Sequence, residues 1–251
     1  MIPRRIAEHV KAHNWFAVAI DFLIVVVGVF VGLQVNNWNE ARANRGIVAR
    51  HLNEIAEDLR SHLDLSGALY GSAVARIAAV DYICDEAFGR KLPEVIVLST
   101  ESWTVPEHAP IAEDRLDNLM GAINLVRITV GSRSGYESLI SSGHLGLIPN
   151  KDLAREIQLY YGEYDDLADT NAVFRGFRNS GVPAMYAHGL SSFDERPAEE
   201  IVALAKENPD FAAYLRTVRE WAALHAGLLG ELHGKTEALL ADIEAELERL
   251  Q

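Results

Sequence analysis

The sequence predicts a mostly α protein: one N-terminal transmembrane helix continuing into a water-exposed helical bundle with long first and last helices. Three observations carry this. An apolar run fills Trp15 to Val35, apolar residues recur at helical spacing through most of the remaining chain, and Gly and Pro are modest in number with no repeat or low-complexity tract. The expected organisation is a short basic tail over 1–14, a membrane span over 15–37 and a soluble helical domain over 38–251, with a loop at about 90–110.

Between Trp15 and Val35 only Asp21 and Gln34 are polar. At ~1.5 Å per residue this run makes a helix of roughly 31 Å, which matches a hydrocarbon core of about 30 Å. Hydrophobicity all round the helix argues against a buried core helix. A cleaved signal peptide fits poorly, because the apolar region is too long and polar Asn36, Asn37, Trp38, Asn39 and Glu40 stand where a small-residue cleavage site is needed. A retained single-pass anchor is expected, with the lipid bilayer as its first partner.

Charge is divided unevenly along the 251 residues. Residues 1–50 carry six Lys/Arg against three Asp/Glu, whereas 51–251 carry 17 against 33. An outer domain this acidic repels phosphate backbones, so no nucleic acid partner is expected. The lone Cys84 excludes an intramolecular disulfide and reads as a small buried residue on a helix. Arg4, Arg5 and Lys11 precede the span and Arg42, Arg45 and Arg50 follow it, a tie under the positive-inside rule. A short tail before a single anchor is the simplest signal-anchor layout, and the expected orientation is N-terminus inside.

In order along the chain, Ile2, Ile6 and Val10 give the basic tail an amphipathic spacing. The helical pattern runs on from the anchor through Leu52, Ile55, Leu59, Val80 and Ile83 to about Phe88, with a bend expected near 36–39 and Gly89 as the stop. Pro93, Pro106 and Pro110 bracket a loop with room for one short strand. A helical pattern resumes from Ile111 to about Val130, Gly131–Gly135 breaks it, and Tyr136–Ser142 reads as a short helix closed by Gly143. Lys151 opens a helix toward Phe177, interrupted by Gly181 and Pro183. Residues 191–197 read as a linker whose Pro197 suits a helix start, and Asn208-Pro209-Asp210 starts the last helix.

Asp21 is the residue to explain within the span. Asp21, Val25, Gly28, Gly32, Val35 and Asn39 follow a 4-3-4-3-4 step and share one helix face, and Gly28-x-x-x-Gly32 lets two backbones approach closely. A carboxylate on that seam is buried against protein rather than lipid, so homo-oligomerisation is expected, with another multi-span membrane protein as the other partner considered. Gln34, Asn36, Asn37 and Trp38 sit where the helix leaves the bilayer, and Trp15 and Trp38 bracket the span as interfacial aromatics do.

No catalytic, cofactor or metal constellation is expected. His51, Glu54, Asp58 and His62 lie on one helical stripe, but its ends are too far apart (~16 Å) to share one ion, and it reads as a solvated face. Gly131–Gly135 has Arg133 where a nucleophile elbow needs Ser. Gly234-Lys235-Thr236 has Leu229 at the first glycine of a phosphate loop. Ser142 and His144 are close in sequence without an orienting acid. Tyr160, Tyr161 and Tyr164 read as packing residues with one wet edge.

Two blocks carry a resemblance. GLQVNNWNEARANR directly after the apolar span, and YESLISSGHLGLIPNKDLAREIQLYY over 136–161, are similar to the shared blocks of a bacterial family of single-pass membrane proteins defined by a domain of unknown function. The resemblance implies an N-terminal anchor and a helical outer domain, without an activity or cofactor. AIDFLIVVV is also similar to the start of the anchor in stator-like subunits of proton-driven machines, where an acid at the position of Asp21 carries a proton. The expected function is therefore non-enzymatic: an inner-membrane oligomeric scaffold, sensor or accessory subunit with a periplasmic domain. The alternative is a stator-like subunit using Asp21.

Overall fold

The structure is a computed structural model that describes residues 15–98, 101–124, 131–191 and 194–251, and 82% of them are helical. The basic tail over 1–14 lies outside the described residues. The chain divides into two compact units, Met1–Arg50 and His51–Gln251. The stretch expected to span a membrane, 15–37, falls within the first unit.

Helix α1 (Trp15–Phe88) contributes to both units and is unbroken, with no interruption near 36–39. The sequence has no Pro between 15 and 88, so nothing removes a backbone donor along it. It stops where expected. Gly89 takes φ 62, a left-handed conformation that Gly adopts without a Cβ penalty, and its N–H still reaches the Asp85 carbonyl at 2.7 Å. In the first unit α1 carries the one stretch among the described residues that is long and apolar enough to cross a membrane, and none of that window is buried.

The second unit begins with the rest of α1. Strands β1 (Val95–Leu98) and β2 (Glu101–Thr104) then pair antiparallel, with Ile96 opposite Trp103. The loop thus holds a hairpin rather than a single strand. Its connecting residues, Ser99 and Thr100 in the sequence, include no Gly, Asn or Pro to announce a turn. A 3₁₀ segment (Glu113–Asn118) leads into α2 (Leu119–Asn124), shorter at its start than the helical spacing suggests, while 125–130 lie outside the described residues.

Helix α3 (Ser134–Ser141) ends at Gly143 with φ 71, and a 3₁₀ turn (His144–Leu147) precedes α4 (Lys151–Tyr186). Asn150 caps α4, its side chain accepting from the backbone N–H of Asp152 and Leu153 at 3.2 Å each. The expected interruption at Gly181 and Pro183 does not occur. A Cβ on Gly181 would stand 2.1 Å from the Tyr214 ring, so this glycine makes room for a neighbour instead of breaking the helix. Pro183 forgoes one helical bond to the preceding turn, and the helix ends three residues later at Tyr186. Pro197 and Pro209 open α5 (Ala198–Glu207) and α6 (Pro209–Leu250) as the sequence indicates.

Side-chain pairs set the course of the long helices. Asp81–Arg219, Ser66–His233 and Arg60–Glu244 join α1 to α6, with numbers falling on one as they rise on the other. Phe174–Trp221, Glu163–Lys235 and Tyr160–Thr236 do the same between α4 and α6. Helix α6 is thus antiparallel to both. The main core gathers Val80, Ile83 and Cys84 of α1, Leu119 and Ile123 of α2, Ile201 of α5 and Phe211 and Leu215 of α6. Burial pushes the Cys84 thiol pKa up, which keeps it protonated and unreactive.

Candidate functional site

In the first unit the expected seam lies on an unbroken helix, so Asp21, Val25, Gly28, Gly32, Val35 and Asn39 fall on one stripe, all exposed. Nothing lies within 4 Å of the place a Cβ would take at Gly28 or Gly32. Gln34, Asn36, Asn37 and Trp38 are exposed too, and the Arg42 guanidinium lies 5.9 Å from the Trp38 ring centre one turn on. The helix begins at Trp15, whose side chain lies outside the described residues.

The second unit overturns the solvated-face reading of the His51–His62 stripe. His51, Asp58 and His62 are buried and only Glu54 reaches water. Polar residues on a helix are not thereby outside. These three face inward because loops and helices distant in sequence bring them partners, without which burial costs several kcal/mol.

Asp58 holds the start of α3. Its Oδ2 accepts the Gly135 N–H at 2.7 Å and its Oδ1 the Ser134 hydroxyl at 3.3 Å. The residue before α3, Arg133, offers no side-chain cap, so a carboxylate on another helix takes that role and meets the positive end of the α3 dipole.

His62 sits one turn further on. Its Nε2 lies 2.7 Å from the Ser132 carbonyl oxygen, which only accepts, so Nε2 carries a proton. Its Nδ1 lies 2.8 Å from the Tyr160 hydroxyl, which lies 2.9 Å from Thr236 Oγ1, and Thr236 donates to the Leu232 carbonyl at 2.7 Å. Four contacts are made, yet a neutral imidazole and two hydroxyls supply three protons. Protonating His62 would complete the chain. Burial opposes this and lowers the His62 pKa, outweighing the Ser132 carbonyl and the Asp58 charge, while Arg133 adds to the lowering.

The tyrosines keep little of the expected wet edge. Tyr160, Tyr161 and Tyr164 are buried, and burial raises all three pKa values. Tyr164 stacks on His62 with centres 4.3 Å apart and accepts the Gly131 N–H, while Tyr161 stacks on Tyr136 at 4.2 Å. Gly131 is required here, since a Cβ would stand 2.3 Å from the His62 ring.

Ser142, His51 and Glu54 do meet through space, which their sequence positions did not reveal. Ser142 Oγ is 3.5 Å from His51 Nε2, and His51 Nδ1 is 3.5 Å from Glu54 Oε2. The order is that of a hydrolytic triad, but the geometry is not. His51 Nε2 is closer to His144 Nδ1, at 3.0 Å, and Ser142 gives its proton to the Leu139 carbonyl at 3.1 Å. Ser142 also stands at the C-terminal end of α3, where the helix dipole disfavours an alkoxide.

Protein-family models, curated proteins and solved structures include no match to this chain. Its own geometry supplies the remaining site.

That site is a cleft of about 650 Å³ beside the hairpin, lined by residues after α1, by β1 and β2, and by the first half of α6. Arg90, Lys91, Arg216, Trp103 and Trp221 are among its walls. No linear motif announces it. The tryptophans give a signal in hindsight: Trp15 and Trp38 flank the apolar run, and the other two line this cleft.

Proposed function

We propose that the protein is a non-enzymatic, single-pass anchored component of a bacterial inner membrane, with its N-terminus cytoplasmic and residues 38–251 forming a periplasmic helical bundle. It self-associates through Asp21, Val25, Gly28, Gly32, Val35 and Asn39, and acts as an oligomeric scaffold, sensor or accessory subunit. The resemblance to the family of single-pass membrane proteins points the same way.

The uncovered apolar window of α1 carries this reading. Twelve large apolar side chains between Ile20 and Val35 are exposed. At roughly 1 kcal/mol for each half-exposed side chain, covering them is worth on the order of 10 kcal/mol, as much as a whole domain's stability. A lipid core supplies that cover. The protein is expected to stay in the membrane pellet after alkaline carbonate washing, and release into the soluble fraction would end the reading. A periplasm-active reporter fused after Gln251 is expected to be active, and activity of a cytoplasm-only reporter there would reverse the orientation.

A second reading rests on Asp21, the one acid in the apolar run. In a stator-like subunit this carboxylate carries a proton between helices, together with a multi-span partner. Asp21→Asn separates the two readings: a structural acid tolerates the amide, whereas a proton carrier does not.

A further inference from the structure

We infer that the cleft beside the hairpin is a binding site for a small organic anion with an aromatic body. The inference goes beyond the membrane reading and is independent of it, because every residue involved lies within His51–Gln251.

Charge is the first observation. Residues 51–251 carry 33 Asp/Glu against 17 Lys/Arg, yet this cleft is lined by Arg90, Lys91, Arg216 and Arg219 against the single acid Glu220. Arg219 is consumed by the fold, pairing with Asp81 and donating from Nη1 to the Pro93 carbonyl at 2.8 Å. The other three have no ion pair or hydrogen bond among the described residues. Three uncommitted cations around one concavity of an otherwise acidic unit draw in an anion and repel cations.

The walls are the second observation. Trp103 and Trp221 line the same space with Leu224. The backbone makes room for Trp103: a Cβ on Gly227 would stand 2.9 Å from its Cδ1, so α6 leaves a bare patch for the indole. The hairpin wall is fixed as well, since the Val105 N–H closes its base on the Glu94 carbonyl at 2.8 Å and Arg219 holds Pro93. Val95 and Val97 of β1 remain exposed on the wall, apolar surface that a ligand would cover. A preformed cleft of this volume, apolar and aromatic with a few convergent polar groups, has the character of a small-molecule site. The indoles and valines take a flat apolar body, and Arg90, Lys91 and Arg216 take its carboxylate or phosphate.

The test uses the full chain in lipid nanodiscs, with empty discs subtracted, and naphthalene-2-carboxylate as probe in calorimetric titration. Saturable 1:1 binding is expected, with quenching of tryptophan fluorescence. Inorganic phosphate, which lacks the body, and 2-naphthylmethanol, which lacks the charge, are each expected to bind at least roughly tenfold more weakly. The triple substitution Arg90→Ala, Lys91→Ala, Arg216→Ala should weaken the probe by roughly tenfold or more with an unchanged circular dichroism spectrum, since none of the three makes an ion pair or hydrogen bond among the described residues. Glu220→Gln should tighten it by a factor of roughly two to five. Absence of saturable binding, equal binding of the neutral alcohol, or full affinity in the triple variant would each overturn the proposal.

Discussion

Asp58 on α1 accepts the backbone N–H of Gly135 at 2.7 Å, and Gly135 lies so close to α1 that a Cβ there would stand 2.6 Å from the Glu54 carbonyl carbon and the Ile55 nitrogen. The two residues form one joint. The carboxylate holds the α3 terminus down, and the missing side chain lets it come down. Asp58→Ala is expected to cost about 2 kcal/mol, the worth of a buried charge-assisted bond at a helix start. Asp58→Asn keeps one acceptor and should cost less. Gly135→Ala should cost more than either, because the clash is with backbone that cannot rotate away. Chemical denaturation of the three variants checks the order, and an innocuous Gly135→Ala would contradict the joint.

The His62 chain has one contact too many for its protons while the ring is neutral. That imbalance gives an unusual pair of expectations. Thr236→Val removes one hydroxyl and leaves two contacts with two protons, Nε2–H to Ser132 and Tyr160 to Nδ1, so it should cost less than about 1 kcal/mol. Tyr160→Phe instead leaves His62 Nδ1 buried without a donor and should cost about 1–3 kcal/mol. Equal losses in the two variants would show that the protons are distributed differently.

His225 makes a stability-versus-pH prediction. It is buried, stacks near Phe174 at 5.9 Å, and has no hydrogen-bond partner at either ring nitrogen among the described residues. Burial first, and the Arg76 charge second, lower its pKa from 6.5 to about 4. The unfolded chain therefore takes up this proton near pH 6.5 and the folded chain near pH 4. Stability is complete above the first value and is lost as pH falls through the window. Between pH 6.5 and 5 the loss should be about 2 kcal/mol, and His62, lowered in the same direction, adds to it. His225→Phe should flatten the pH dependence in urea titrations, and an unchanged slope would refute the assignment.

The proposed seam on the apolar part of α1 is tested by overpacking. Replacing Gly28 and Gly32 with Leu should weaken self-association at least roughly tenfold, since filling a close interface costs ~1–3 kcal/mol per site, while insertion into lipid is preserved. Asp21→Asn should leave the oligomer intact. Cross-linking in native membranes reads both, and an unchanged oligomer in the double-Leu variant would remove the seam as an interface.

What the sequence determined by itself is the local and the repetitive. The apolar run, the continuation of α1 to Phe88 and its stop at Gly89, and the starts after Asn150, Pro197 and Asn208 were all legible, because propensity, capping and periodicity act within a few residues. What only the tertiary structure decided is which polar residues face in. The stripe His51, Asp58, His62 reads as solvated on the helix alone, and Gly181 reads as a break. His62 is buried because Tyr160 arrives from 98 residues away, Tyr160 because Thr236 arrives from 76 further on, and Gly181 stays helical because Tyr214 lies against it. The cleft is of the same kind: Arg90, Trp103 and Arg216 share no motif and meet only when the hairpin folds onto α6. Burying a polar group is costly where no partner waits, as His225 shows, and a partner's distance in sequence leaves no trace in the local pattern.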